Sequence, residues 1–189
     1  MDKQTLRNQY KAQRNALTAT ELQQLDLALL QQLQAYDWSA LRTLHVYLPI
    51  EKFKEYNTWP FIKWLWQQYP ELTLLCSVSD FQSHQLRHYK LQVDGQLQEN
   101  AWGIPEPVGA EEVEVSEIDA VLAPLLVVDK QGNRVGYGKG FYDRFFAACR
   151  PDVKRLGLSY FEPVESITDV HGLDVPIQVL FTPGKTFYF

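Results

Sequence analysis

The sequence has little of what marks specialised chains. Its 189 residues include only two cysteines, Cys76 and Cys149, and neither belongs to a C-x-x-C or Cys/His cluster. That excludes a disulfide scaffold and a structural zinc site, and it reads both cysteines as buried free thiols of a reducing compartment. No apolar run approaches the roughly 20 residues that span a bilayer. The opening Met1-Asp2-Lys3-Gln4-Thr5 lacks the apolar stretch of a secretory signal. There is no surplus of base, because the formal net charge is −5. A coat for long nucleic acids needs excess Lys and Arg to displace counterions, so nucleic acid is excluded as a partner. No internal repeat, low-complexity tract or linker divides the chain. These absences predict a cytoplasmic protein that meets no membrane and forms a single domain over residues 1–189. With 46% apolar and 22% charged residues, the chain can bury an ordinary globular core.

What charge there is lies unevenly. Residues 1–14 carry Lys3, Arg7, Lys11 and Arg14 against Asp2 alone, a balance of +3. Residues 129–155 carry seven basic residues against three acidic ones, and residues 106–119 carry six acidic residues and no base. Two basic islands in an acidic chain suit a compact anion, although ordinary solvated surface would show the same pattern.

Periodicity predicts helices over the first ~35 residues. Leu6, Tyr10 and Leu17 share one face of the first helix, and Lys3, Arg7, Lys11 and Arg14 form a stripe on another. Thr18 and Glu21 have the form of a capping box, opening a second amphipathic helix with Leu22, Leu25, Leu29 and Leu33 on its face. The expected opening is a helical hairpin. Buried strands are predicted over residues 43–48 and 72–76, with an edge strand within 84–93. Between them, Asn57 or Thr58 would cap a helix with Pro60 in its first turn and Trp59, Ile62, Trp66 and Tyr69 on its apolar face. Pro105 and Pro107 predict a rigid turn. Residues 120–128 are the most apolar run, split by Pro124, which cannot donate to a central ladder. Short strands follow near 156–160 and 179–182. Alternating strands and helices predict an α/β fold with a largely parallel open sheet flanked by helices. His45 reads as a satisfied core histidine, and no histidine has metal-ligand spacing.

The stretch from Arg134 to Arg144 carries the chemistry. Gly136, Gly138 and Gly140 let the backbone fold tightly and approach a ligand. The loop runs into a helix start, where free N–H groups and the helix dipole favour phosphate. Lys139 adds a charge at the loop tip, and Asp143 is an oxygen that could serve Mg2+. A tight strand-to-helix turn with solvated bases would use the same residues. Two common phosphate motifs fail. A Walker A loop would need glycine where Asn133 stands and Ser or Thr where Gly140 stands, and a dinucleotide fingerprint would need glycine where Phe141 stands.

Residues 124–129 and 132–144 together resemble the signature of the 5-formyltetrahydrofolate cyclo-ligase family. The Lys3-x-x-Leu-Arg7 opening, Glu55-Tyr56-Asn57-Thr58 and Trp102-Gly103-Ile104-Pro105-Glu106-Pro107 resemble further elements of that family in the same order. The resemblance implies ATP- and Mg2+-dependent closure of 5-formyltetrahydrofolate, with or without a polyglutamate tail, to 5,10-methenyltetrahydrofolate, by a monomer or weak homodimer. It implies ATP contacts from Lys3, Arg7, Arg134, Val135, Gly136, Tyr137, Gly138, Lys139, Gly140, Phe141 and Tyr142. Lys139, Arg134 and Tyr142 would act on the reacting groups. Folate contacts would come from Ile50, Glu55, Trp102 and residues 137–141, and metal contacts from Asp143 and Asp174. Around Asp174 the family pattern is incomplete, since Leu173 and Gln178 stand where it often has His and Asp. Two rivals share the fold class: a non-catalytic folate- or nucleotide-binding protein, and a relative of sugar-phosphate isomerases or CoA-transferases. ATP dependence separates the last from a cyclo-ligase.

Overall fold

The computed structural model describes residues 1–101 and 103–189. In chain order the elements are α1 (Lys3–Ala16), α2 (Ala19–Ala35), β1 (Thr43–His45), α3 (Trp59–Gln68), β2 (Thr73–Asp80) and β3 (Gln85–Lys90). Then come β4 (Leu97–Glu99), β5 (Pro105–Pro107), β6 (Glu112–Val113), β7 (Ala120–Pro124), β8 (Val127–Val128) and β9 (Arg134–Val135). The chain ends with α4 (Phe141–Ala148), β10 (Lys154–Leu158), β11 (Val179–Phe181) and β12 (Thr186–Tyr188).

Eight strands form one sheet in the order β12-β11-β10-β7-β1-β2-β3-β6. The five from β11 to β2 run parallel, and antiparallel strands close both sides. The sheet is therefore largely parallel, as expected. From β1 the chain first adds β2 on one side, then returns to add β7, β10 and β11 on the other. The reversal lies between β1 and β7, and ligands of open α/β sheets bind outside the carboxyl ends of the strands at such a point. The parallel core strands are apolar on both faces, as burial on both sides requires: β7 holds Ala120, Val121, Leu122 and Ala123 without exposure.

The two N-terminal helices form where periodicity puts them, and then part. The capping box of α2 is complete, with the Glu21 amide donating to the Thr18 hydroxyl and the Thr18 amide donating to the Glu21 carboxylate at 2.8 Å. α2 packs on α3 and β11 through Leu29 and Leu33, while α1 packs on β9 and the 3-10 turn Glu51–Phe53.

Several expectations are corrected. The buried face of α3 is Phe61, Ile62 and Leu65, while Trp59, Trp66 and Tyr69 only rim the core. Thr58 holds the cap position of α3, but its hydroxyl donates to the Tyr47 carbonyl at 2.9 Å, and the Asn57 side chain takes the Trp59 amide. The expected strand 43–48 keeps ladder pairing only to His45. β3 is an inner strand because the two-residue β6 covers it. Residues 105–107 form an antiparallel strand with β4 rather than a bare turn, tolerating two prolines because this two-stranded sheet is all edge. Cys149 is half-buried, unlike the buried Cys76. His45 is fully buried but not satisfied, since neither ring nitrogen has a hydrogen-bond partner among the described residues. It meets His88 edge-on at 5.3 Å, and His88 stacks on Phe145 at 4.1 Å. Burial keeps both imidazoles neutral, pushing His88 down to about 4 and His45 well below its usual value.

Candidate active site

The glycine-rich loop runs from the end of β9 into α4. Gly138 (φ +89°) and Gly140 (φ +71°) occupy the left-handed region that L side chains avoid. Gly140 holds the cap position of α4, and no side-chain cap hydrogen bond reaches the first amides of this helix among the described residues. A Cβ at Gly136 would meet nothing within 4 Å, so the backbone there faces open space. Lys139 is exposed at the tip, and its ammonium makes no ion pair among the described residues.

The cationic stripe of α1 lies along this loop. Arg7 Nε donates to the Gly136 carbonyl at 2.9 Å, and a Cβ on Gly138 would press on the Arg7 guanidinium at 3.2 Å. The Lys11 ammonium sits 5.5 Å from the centre of the Tyr137 ring. Arg14 is 4% exposed, donating to the Tyr137 hydroxyl at 2.8 Å and to the Leu125 carbonyl at 2.5 Å. Lys3 pairs with Asp174, whose carboxylate also accepts the His171 amide at 2.6 Å. Burial acts to raise the Asp174 pKa, but Lys3 and the His171 amide hold it below the usual carboxylate value.

On the β1 side, Glu55 closes the site. One of its oxygens accepts the Ile50 amide at 2.8 Å and the other accepts the Tyr137 hydroxyl at 2.6 Å. Burial raises its pKa, opposed by those hydrogen bonds and by the Arg14 charge. Tyr137 also stacks on Phe53 with centroids 5.2 Å apart. Ile50, Glu55, Tyr137, Arg14 and Arg7 are thus linked at the carboxyl ends of β1 and β7, and Lys139 lies two residues beyond Tyr137 on the same loop.

Other expected site residues are turned differently. Arg134 is buried beneath the loop, donating to Asp143 at 2.7 Å and to the Val175 carbonyl, with its guanidinium 4.8 Å from the centre of the Phe146 ring. Both terminal nitrogens of its planar fork are engaged by these two partners. Val135 is fully buried. Tyr142 lies among Phe145, Phe146 and His45. Phe141 meets Phe81 and His84 of the β2–β3 connection. Trp102 lies outside the described residues. Sequence reasoning left Lys11 and Arg14 out of the site, although their spacing with Lys3 and Arg7 was the signal for them.

For a divalent cation, no group of three or more His, Cys, Asp or Glu side chains converges among the described residues. Asp143 and Asp174 are nevertheless neighbours, because the Val175 amide reaches Asp143 at 3.3 Å and both carboxylates act on Arg134. Each spends one oxygen on a cation, Arg134 or Lys3, and the other oxygen makes no hydrogen bond among the described residues. This fits Mg2+, which takes one or two carboxylates and fills its remaining positions with water and phosphate oxygens.

Fold and site define a class: an open α/β protein with a glycine-rich loop and a row of cations beside the switch point of its sheet. The comparisons with known proteins give the family. The model of the 5-formyltetrahydrofolate cyclo-ligase family matches residues 1–183, and the chain belongs to that family. The 5-formyltetrahydrofolate cyclo-ligase of Haemophilus influenzae is 29% identical over 180 residues, 93% of this chain and 94% of that protein. The mouse protein of the same name is 28% identical over 157 residues, 78% of this chain and 74% of the relative. Among solved structures, Aquifex aeolicus 5,10-methenyltetrahydrofolate synthetase superposes with a TM-score of 0.83 at 24% identity, covering 100% of this chain and 93% of that one. That likeness speaks for the fold.

Proposed function

We propose that this enzyme closes 5-formyltetrahydrofolate to 5,10-methenyltetrahydrofolate with ATP, releasing ADP and phosphate. An amide-type oxygen leaves poorly, and phosphorylation makes it leave well. The formyl oxygen attacks the γ-phosphorus of ATP as the bond to the ADP oxygen breaks. N10 then attacks the formyl carbon and gives up its proton, the carbon–oxygen bond breaks, and the departing phosphate carries that oxygen and takes up the proton. Such a reaction asks the protein chiefly for positioning and for neutralisation of charge.

The observation that carries this reading is the joining of three segments at the switch point. The glycine loop, the cationic face of α1 and the Glu55 carboxylate meet through the Arg7–Gly136 and Arg14–Tyr137–Glu55 hydrogen bonds. In this reading the loop amides and Arg7 hold the nucleotide phosphates. Lys139, free at the loop tip, meets the transferring phosphoryl group. Glu55 accepts hydrogen bonds from the pterin, and Ile50 and residues 137–141 line the folate. Arg134 supports the site by fixing Asp143. Tyr142 packs among His45, Phe145 and Phe146 at the start of α4. Asp143 and Asp174 would hold Mg2+, which when bound neutralises phosphate charge. Lys3, paired with Asp174, lies where a phosphate and a cation would both be met.

The test is direct. The purified chain is given 5-formyltetrahydrofolate, and formation of methenyltetrahydrofolate is followed by absorbance with and without MgATP. Product that requires MgATP is expected. No product under either condition overturns the reading.

A further inference from the structure

The hydrogen bonds around Tyr137 have a direction, and the direction has a consequence. A guanidinium can only donate. Because Arg14 donates to the Tyr137 oxygen, the phenol's own proton is left for Glu55, which accepts it at 2.6 Å. The second Glu55 oxygen is taken by the Ile50 amide. The chain of groups therefore runs one way, from cation to phenol to carboxylate. Glu55 is half-buried, and burial alone would favour its protonated form; the phenol, the amide and the Arg14 charge oppose that.

Arg14 itself is placed at a cost. It is almost wholly buried, and among the described residues it makes no ion pair with a carboxylate and its Nε has no hydrogen-bond partner. A buried charge held this way is weak evidence for stability, since an apolar side chain would often serve the fold as well. Its other hydrogen bond goes to Leu125, just beyond the end of β7, so it is anchored to the rigid sheet. Tyr137 is the partner that belongs to the loop. It lies between Gly136, whose Cβ position is open, and Gly138, whose φ is positive. The same tyrosine is thus part of the phosphate loop by its backbone and part of the Glu55 site by its hydroxyl.

We propose that Arg14 is a positioning residue which, through Tyr137, binds the phosphate loop and Glu55 into one unit, so that nucleotide and folate favour each other's binding. This rests on the functional reading above. A loop fixed by phosphate fixes the phenol, and a fixed phenol keeps Glu55 ionised and aimed; the converse holds for a folate on Glu55, because coupling between sites is reciprocal.

The experiment is titration calorimetry with a non-hydrolysable ATP analogue and Mg2+, in the presence and absence of 5-formyltetrahydrofolate. In the unaltered enzyme each ligand tightens the other by about 5-fold or more, the lower end of ordinary site–site coupling. Tyr137→Phe, which keeps the ring and removes the relay, brings that ratio to within about 2-fold of unity. In Arg14→Gln the acid limb of folate affinity moves to higher pH, because Glu55 loses the charge that opposes its protonation. A merely structural role would not move that limb. Undiminished coupling in Tyr137→Phe overturns the proposal, and Tyr137→Phe decides alone if Arg14→Gln does not fold. An unaltered enzyme that binds both ligands without coupling overturns this inference and leaves the cyclo-ligase reading standing. One that binds neither overturns both.

Discussion

α1 and α2 are consecutive, amphipathic and separated by two residues, yet the fold uses them in opposite ways. α2 has no basic residue in its last turn, carries a complete cap, and spends its apolar face on α3 and β11. α1 buries only Leu6 and Arg14, and its four cations all reach towards the glycine loop or the segment holding Asp174. The difference teaches what a helical face is for. Leucines at helical spacing attach a helix to the core, whereas cations at the same spacing lie along the glycine loop, where the proposed function makes them half of an anion site. Substitutions in α2 should therefore alter stability alone, and substitutions along α1 and the loop should alter binding and turnover.

The largest effect expected on the α2 side comes from Leu33→Ala. Leu33 is fully buried, and truncation of a core leucine costs about 2–5 kcal/mol. Urea unfolding should show that loss while the turnover of the folded protein stays unchanged; a fall in turnover without a fall in stability would erase the contrast between the helices. On the other side, Lys139→Ala should leave stability within about 0.5 kcal/mol, as an exposed substitution does. Its turnover should drop by at least about 10²-fold, the loss typical of one preorganised electrostatic group. Near-normal initial rates would take Lys139 out of the mechanism.

A third prediction concerns the His45–His88 contact beside α4. Unfolded histidine takes up a proton near pH 6.5, while folded His88 resists protonation down to about 4. Between those values the unfolded state binds more protons, so stability falls as pH falls, by up to about 1.4 kcal/mol per pH unit for each imidazole. Thermal melts of His88→Gln from pH 7 to 4 should show a shallower decline than those of the unaltered protein. Superimposable pH profiles would mean that the pair does not set the acid limit. The smallest effect belongs to Thr18→Ala, which removes the cap of α2 and should cost about 1 kcal/mol in chemical unfolding. Its ATP and folate affinities should be unaltered, and a change in either would mean that α2 communicates with the site.

Much of this was legible in the residues. The capping box, the α1 stripe and the glycine loop each depend on local spacing, and local spacing survives folding. Gly138 and Gly140 do adopt the positive φ that a tight loop into a helix needs. What escaped was set by distance or brevity. β4, β6, β8, β9 and β12 are two or three residues long, too short to show a period. Arg14 and Leu125 are 111 residues apart in sequence, so nothing local marked Arg14 as buried rather than solvated like its neighbours on the stripe. Arg134 carried the same ambiguity. An arginine beside a phosphate loop and an arginine bracing Asp143 beneath it look alike until the Val175 segment closes over the side chain. The unsatisfied His45 was equally hidden, because a buried histidine implies a partner and only the packed structure reveals that its neighbour is another imidazole.

The central claim is that α1 and the glycine loop make one anion site, and Arg7 tests it most directly. Its guanidinium bonds to Gly136 and lies against Gly138, so it touches the loop without belonging to the core. The measurement is the Kd of MgATP for Arg7→Ala by calorimetry. The account predicts binding weaker by about 10-fold or more, as expected for loss of hydrogen bonds to a charged group, with thermal stability little changed. An unchanged Kd in a folded Arg7→Ala protein would contradict it and return α1 to the role of α2, a helix that only covers the sheet.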